Sequence, residues 1–234
     1  MFEINDLNFK EVGDEVLLMD DFYKEPQEIL DLIKSSSPFP FKSDDCPSFN
    51  LIHFADLRHM IKCDDLAPTY RALGLYCGQR ENDMTMGNWP RHTALTTNCM
   101  RLTKTNKWAE EFNDYHNKHW CPHLDVGWNG IVYFTEGAGT NLYHPSFDTR
   151  EDPRPEHYSP WVDKSRLEVV HHLESKFNRL VFFNGKRYPH GMDIIDDTYF
   201  NSLESENEDF FWQDKLGLDN FRINQVFFFE EEPV

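Results

Sequence analysis

A histidine and an aspartate two positions apart, in His123-Leu124-Asp125, form the first pair of side chains in this sequence that could bind a metal ion. Residues i and i+2 of a β-strand point to the same side, so an imidazole and a carboxylate would face a common point. A second pair with this spacing, His172 and Glu174, follows further along the chain. The chain has 11 histidines and 41 acidic residues, so chance also produces such pairs and spacing alone does not choose between them.

The surrounding sequence favours the first pair. His123 and Asp125 stand just before an apolar segment, residues 130–135, that is typical of a strand. His190 follows a second apolar run, residues 180–183, after a turn. Two histidines and one carboxylate on one face bind the metal of non-haem Fe(II) oxygenases and leave coordination positions open. The three residues are therefore predicted to bind a metal ion.

A centre of this type also needs a fixed cation. A 2-oxo acid that chelates the metal through its keto and carboxylate oxygens directs its distal carboxylate into the barrel, where a buried arginine is the best-suited donor. Arg222, at the start of the apolar segment 223–229, is the predicted donor. The alternative interpretation of Arg222 is a side chain that caps a strand edge.

Short strands must position these side chains. After Cys121 the chain consists of apolar, β-branched and aromatic segments separated by Gly, Pro and Asn, which is typical of a sandwich or jelly roll. The predicted strands of this half are residues 130–135, 141–143, 179–183, 194–195 and 223–229.

The N-terminal half is predicted to support this β core. Residues 16–19 are predicted to form a strand, and the apolar residues within 29–33 fit one face of a helix. Further helices are predicted near 66–75 and over 106–118, where aromatic residues recur at helical spacing. The expected fold class is mainly β with supporting helices (α+β): a double-stranded β-helix, or jelly roll, behind an N-terminal helical layer.

The chain is predicted to be a single domain, with residues 1–120 as support and 121–234 as the β core. Two polar segments, residues 147–165 and 201–220, are predicted insertions in that core. In the second segment, Phe210, Phe211 and Trp212 form an apolar patch that follows an acidic run. Such a segment could close over a substrate as a lid or dock permanently as core, and the sequence leaves both open.

Composition limits the classes of partner. The 234 residues are 39% hydrophobic and 15% aromatic, which is typical of a folded chain, and carry a formal net charge of −18. This charge argues against nucleic acid and anionic membranes. The five cysteines form no C-x-x-C pair, and the acidic N-terminus has no leader pattern. We expect a cytoplasmic protein with a small-molecule or peptide substrate, and the oligomeric state stays open.

The longest recognisable motif is the run Lys176-Phe177-Asn178-Arg179-Leu180-Val181-Phe182-Phe183-Asn184-Gly185-Lys186-Arg187-Tyr188-Pro189-His190. It resembles the segment ending in the distal iron-binding histidine of prolyl hydroxylases of the oxygen-sensing type and, more widely, of the Fe(II)/2-oxoglutarate dioxygenase superfamily. His123-Leu124-Asp125 resembles that superfamily's H-x-D motif. The resemblance covers roughly residues 122–230 and is loose in the N-terminal half.

The resemblance implies a role for each matching residue. His123, Asp125 and His190 would bind iron, while Arg222, helped by Tyr133, would bind the distal carboxylate of 2-oxoglutarate. Asn224 lies two residues after the arginine, where a hydroxyl side chain is common, and could assist. The His190–Arg222 spacing is wider than is usual, so residues 201–220 are expected to be inserted between the last two strands. Without such an insertion, Arg187 would take the role of Arg222.

The implied function is an Fe(II)- and 2-oxoglutarate-dependent dioxygenase that uses O2 to hydroxylate an amino-acid side chain, with peptidyl proline preferred. The aspartate in the triad favours hydroxylation over halogenation, since a halogenase normally vacates that ligand for halide. A second class stays open: a cupin-like jelly-roll protein that binds a carboxylated ligand through Arg222 without oxidative turnover.

Overall fold

The structure is a computed structural model of the chain. It describes residues 2–35, 39–42, 49–53, 73, 96–103, 118–120, 122–125, 127–146, 161–163, 167–193, 200–201 and 222–230.

These residues form fourteen strands and one ten-residue helix, α1, at Pro26–Ser35. The strands are β1 (Lys10–Gly13), β2 (Val16–Met19), β3 (Phe39–Lys42), β4 (Phe49–His53), β5 (Thr96–Thr103), β6 (Lys118–Trp120), β7 (Gly127–Tyr133), β8 (Gly137–Tyr143), β9 (Trp161–Asp163), β10 (Val169–Ser175), β11 (Leu180–Asn184), β12 (His190–Met192), β13 (Phe200–Asn201) and β14 (Arg222–Glu230). The described part of the chain holds no helix long and apolar enough to cross a membrane.

Two sheets form the β core. The larger has nine strands, in the order β1-β2-β11-β7-β14-β5-β4-β3, with β13 paired to β5. The smaller contains β10-β8-β12, and β6 pairs separately with β9. The chain passes from the large sheet in β7 to the small one in β8 and β10, back in β11, and across again in β12 and β14. Strands that alternate in this way between two packed sheets build a jelly roll.

Side-chain alternation along β7, β11 and β14 divides the apolar residues between two cores. On β7, Ile131 and Tyr133 face the small sheet, while Val132 faces the opposite side of the large sheet. The core between the sheets contains Val16, Ile131, Tyr133, Leu142, Leu173, Val181, Phe183, Tyr188 and Val226. The outer core contains residues of α1 and the N-terminal segment, packed on Val132, Leu180, Phe182 and Phe227 among others. Both faces of these central strands are buried, so they are apolar nearly throughout.

Several predicted elements are confirmed, with shifted boundaries in the C-terminal half. The strand predicted at residues 16–19 is β2, and the helix over 29–33 is part of α1. The strands predicted around 130–135, 141–143, 179–183 and 223–229 correspond to β7, β8, β11 and β14. The boundary at β7 was wrong because the chain bends after Tyr133, where a short turn leads into β8.

The N-terminal helical layer is not seen in the described residues beyond α1. No strand was predicted before residue 121 other than that at 16–19, yet β3, β4 and β5 lie in this half and extend the large sheet. In the helix predicted near 66–75, Leu73 alone is described, and it is helical. Residues 118–120 form β6 at the end of the helix predicted over 106–118, and the rest of that helix lies outside the described residues.

The predicted insertions are described only in part. Residues 161–163 form β9, a strand inside the segment 147–165 that was expected to be a polar loop. Residue 201 ends β13, while the lid candidate with Phe210, Phe211 and Trp212 lies outside the described residues, as does the strand predicted at 194–195.

An ion pair ties the end of β2 to the start of β11. Asp20 accepts hydrogen bonds from Arg179 Nε at 2.6 Å and Nη2 at 3.2 Å, and from Lys176 Nζ at 2.8 Å. The hydrogen bond from Arg179 is the main cause that lowers the pKa of Asp20 from 3.8 to about 2. Since the carboxylate is partly exposed, solvent screening limits the contribution of the pair to stability.

Asp20→Asn should lower the free energy of unfolding at pH 7 by up to about 1 kcal/mol. Because the pKa of Asp20 is lowered on folding, its contribution is present above about pH 4 and is lost as the pH falls towards 2. Urea titrations of both proteins at pH 7 and pH 3 should therefore show a smaller difference at pH 3. A difference that grows on acidification would contradict this assignment.

Candidate metal centre

Backbone hydrogen bonds hold the three predicted ligands together. His123 and His190 form an isolated antiparallel bridge, in which His123 N donates to His190 O at 3.0 Å and His190 N donates to His123 O at 2.8 Å. Asp125 N donates to Gly185 O at 3.0 Å, just beyond the end of β11. The H-x-D segment is therefore fixed against the turn that leads to the distal histidine.

The ligand atoms of His123, Asp125 and His190 all lie within 4.8 Å of one another. His190 Nε2 is 3.2 Å from Asp125 Oδ2, and His123 Nε2 is 4.0 Å from Asp125 Oδ1. In the described part of the chain, this is the one group of three or more such side chains close enough to hold a metal ion. The donor set, two imidazoles and one carboxylate, suits a divalent transition metal.

His190 is held in an orientation suited to metal binding. Its Nδ1 lies 3.0 Å from the backbone oxygen of Tyr188, which can only accept, so Nδ1 carries the proton in this bond. That tautomer leaves the Nε2 lone pair directed at the site, as is usual for metal-binding histidines. The ring is buried and packs edge-on against Phe183, with the centroids 4.9 Å apart.

Asp125 is ionised at neutral pH. Burial raises its pKa, but in the protonated forms of the two histidines the hydrogen bond and charge of His190 and the charge of His123, together with a hydrogen bond from Asn129, lower it by more, to about 2. A metal ligand must be deprotonated to bind. The carboxylate is therefore in its binding form throughout the neutral range.

Asn129 and Gly185 belong to the site and were not predicted. Asn129 lies on β7 and points between the sheets, where its Nδ2 donates to Asp125 Oδ2 and lies 3.2 Å from His190 Nε2. A Cβ at Gly185 would lie 2.6 Å from that same Nδ2, so the glycine makes room for the amide. One signal was in the sequence: Asn129 is a polar residue inside an otherwise apolar strand, at an inward position shared with Ile131 and Tyr133.

The three residues predicted to bind the cosubstrate lie on adjacent strands. Tyr133 is fully buried between the sheets, with its hydroxyl 2.7 Å from Thr140 Oγ1. Asn224 of β14 is also buried, and its Cα is paired directly with that of Tyr133. Arg222 begins β14 two positions earlier, which by strand alternation places position 222 on the face of Asn224.

The alternatives raised by the sequence lie elsewhere. His172 Nδ1 lies 2.9 Å from Asn141 Oδ1 and 3.3 Å from Asp193 Oδ2, and Glu174 contacts Arg179 instead of a metal ligand. Arg187, the fallback for the cosubstrate, is partly exposed and pairs with Asp14 and Glu15 of the β1–β2 hairpin. The structure gives neither alternative the surroundings of a metal or carboxylate site.

Comparisons with known proteins identify similar solved structures only. No family model and no curated protein matches the chain. The crystal structure of the non-heme alpha ketoglutarate dependent epimerase SnoN from nogalamycin biosynthesis is 11% identical, with a TM-score of 0.44, and the match covers 91% of this chain and 77% of that one. A second SnoN structure, in complex with Fe3+, alpha ketoglutarate and nogalamycin RO, is 12% identical, with a TM-score of 0.43 and the same coverage.

E. coli ycfD is 12% identical, with a TM-score of 0.39, over 93% of this chain and 50% of that one. Similarity at this level does not assign a function to the chain.

The purified protein should bind one Mn(II), used as an inert substitute for Fe(II), and Ala at His123, Asp125 or His190 should abolish that binding because each removes one of three protein ligands. The amount of bound Mn(II) is measured from the electron paramagnetic resonance signal of free Mn(II) as the protein is titrated with the metal. His172→Ala is the matched control and should bind normally. Retained binding in His123→Ala combined with loss in His172→Ala would instead place the site at His172 and Glu174.

Proposed function

We propose that this chain is an Fe(II)- and 2-oxoglutarate-dependent dioxygenase that hydroxylates an amino-acid side chain, with peptidyl proline as the preferred substrate. The observation that carries the proposal is the cluster of His123, Asp125 and His190 at one end of a core enclosed by two sheets. When bound, iron would supply the activation of O2 coupled to oxidative decarboxylation of 2-oxoglutarate to succinate.

The protein residues would hold the metal and keep coordination positions open. Three protein ligands leave positions for a bidentate cosubstrate and for O2, which a closed four-ligand site would not. His190 is fixed through Tyr188 O, and Asp125 through Asn129 and the backbone of Gly185. Such fixed ligands spare the site reorganisation on binding.

The inner face of the large sheet supplies polar groups for an elongated dicarboxylate. Asn129 and Tyr133 lie on one face of β7, four residues and about 13 Å apart along the strand, and Asn224 lies beside Tyr133. We assign the metal end of 2-oxoglutarate to the Asn129 end of this face and its distal carboxylate to Arg222, Tyr133 and Asn224. An arginine opposite a carboxylate forms a strong, oriented pair.

The buried apolar residues between the sheets would exclude water from the reaction. Ile131, Val181 and Val226 line the face between the metal ligands and Tyr133, and Phe183 packs on His190. A water-poor site protects reactive species from side reactions. The net charge of −18 favours a neutral or cationic substrate, such as a peptide, over a nucleic acid.

A binding protein without turnover is the second candidate, and succinate formation separates the two. The proposal predicts succinate from 2-oxoglutarate with added Fe(II) and O2, stimulated by proline-containing peptides, and no succinate from Asp125→Ala. Metal and 2-oxoglutarate binding without succinate, under every substrate tried, would favour the binding protein.

Arg222→Ala should raise the 2-oxoglutarate requirement about thirtyfold or more and spare Mn(II) binding, because truncating one partner of a buried charge pair costs roughly 2–5 kcal/mol. The measurement is succinate formed as a function of 2-oxoglutarate concentration. Arg187→Ala is the matched control, since that side chain pairs with Asp14 and Glu15. An unchanged requirement in Arg222→Ala with an increase in Arg187→Ala would show that the last strand was assigned the wrong role.

A further inference from the structure

Asn129 is the one buried amide that contacts two of the three proposed metal ligands in the described part of the chain. Its Nδ2 donates to Asp125 Oδ2 and lies 3.2 Å from His190 Nε2. The side chain comes from the middle of the large sheet, whose strands β11 and β14 flank β7. The amide is therefore held on a rigid element and directed at the ligands.

The hydrogen bond distinguishes the two oxygens of Asp125. Oδ2 accepts the hydrogen bond from the amide of Asn129 and lies 3.2 Å from His190 Nε2, while Oδ1 lies 4.0 Å from His123 Nε2. A carboxylate free to rotate could offer a metal either oxygen or both. With one oxygen held by a donor, the other is left for the ion, and the carboxylate is oriented before the ion arrives.

Asn129 is poorly explained by folding alone. It is 2% exposed, and its Oδ1 has no hydrogen-bond partner among the described residues. A buried carbonyl oxygen without a partner opposes folding, and an apolar side chain of similar size would avoid that cost. In the described structure the amide group contacts Asp125 and His190 and lies beside Gly185.

Gly185 gives independent support because it makes room for the same amide. A Cβ at this position would lie 2.6 Å from Asn129 Nδ2, 2.9 Å from Cγ and 3.0 Å from Oδ1. Those distances are too short, so a larger residue would displace the Asn129 side chain. The same glycine accepts the backbone hydrogen bond of Asp125 through its oxygen, so it contacts the site on two sides.

We propose that Asn129 is a positioning residue for the metal centre: its amide fixes the Asp125 carboxylate with one oxygen free for the ion, and Gly185 is required there because it leaves space for that amide. The inference rests on the proposed function, since it needs a metal at this site. It adds to that function two residues that do not themselves bind the ion.

The test compares Asn129→Leu with the wild-type protein, using Mn(II) affinity and the melting temperature of the metal-free protein. Leu has the branched skeleton and the same number of heavy atoms as Asn but donates no hydrogen bond. A positioning role predicts Mn(II) affinity reduced about 10- to 100-fold with an unchanged or higher melting temperature of the metal-free protein. The Co(II)-substituted variant should also show a changed visible absorption spectrum, because the carboxylate geometry at the ion changes.

A double-mutant cycle that combines Asn129→Leu with Gly185→Ala tests whether Gly185 is required because it leaves space for the Asn129 amide. If the glycine acts by admitting the amide, Gly185→Ala should weaken Mn(II) binding in the wild-type background and cause little further loss in the Asn129→Leu background. Equal losses in both backgrounds would overturn the role assigned to Gly185.

Two further outcomes overturn the proposal and can be told apart. If the wild-type protein binds Mn(II) and Asn129→Leu binds it equally well, with the same Co(II) spectrum, the positioning role is wrong and the metal centre stands. A wild-type protein that binds no Mn(II) overturns the metal centre and the positioning role together.

Discussion

The antiparallel bridge between His123 and His190 holds two segments that are far apart in sequence, and every feature of the site depends on it. Its two backbone hydrogen bonds bring the H-x-D segment and the distal histidine into register. A shift of one residue in that register would turn one histidine away from the other, because successive residues of an extended chain point to opposite sides. The bond from Asp125 N to Gly185 O fixes the same register at a second point.

The two cores of the protein explain why this register is stable. The outer core packs α1 and the N-terminal segment on one face of the large sheet, and the inner core joins that sheet to the small one. Strands β7 and β11 are buried on both faces, and a slip of one residue would exchange the side chains that face the inner core with those that face the outer core. His123 and Asp125 precede β7, and His190 begins β12 of the small sheet, so elements of both sheets carry a site that is itself polar and partly open. Asn129 is a polar group of the site placed well inside the large sheet.

Much of the site could be predicted from the sequence because its residues fall in short local patterns. Three residues were predicted as ligands from the i, i+2 spacing of His123 and Asp125 and from the apolar run before His190. The structure brings these three residues together. Asn129 and Gly185 escaped because their significance is a contact between strands, Asn129 being paired with Phe183 across the sheet, which no spacing along the chain reveals.

The fold was predicted best where both faces of a strand are buried, as in β7 and β11, since an apolar run is then unmistakable. Strands with one exposed face were missed, such as β10, in which His172 and Glu174 alternate with buried Leu173 and Ser175. The segments that became β3 to β5 were also missed. Their short apolar runs are interrupted by Pro, Asp and polar residues, and pairing across the large sheet, not local pattern, defines them.

The central claim is that one divalent metal ion is bound by His123, Asp125 and His190. Anomalous diffraction at the manganese edge, from crystals of the Mn(II)-loaded protein, tests it most directly. The account predicts a single strong anomalous peak within bonding distance of the Nε2 atoms of both histidines and one oxygen of Asp125, with the other oxygen still bound to Asn129. A peak beside His172 and Asp193, or a crystal grown with Mn(II) that shows none at the triad, would contradict it.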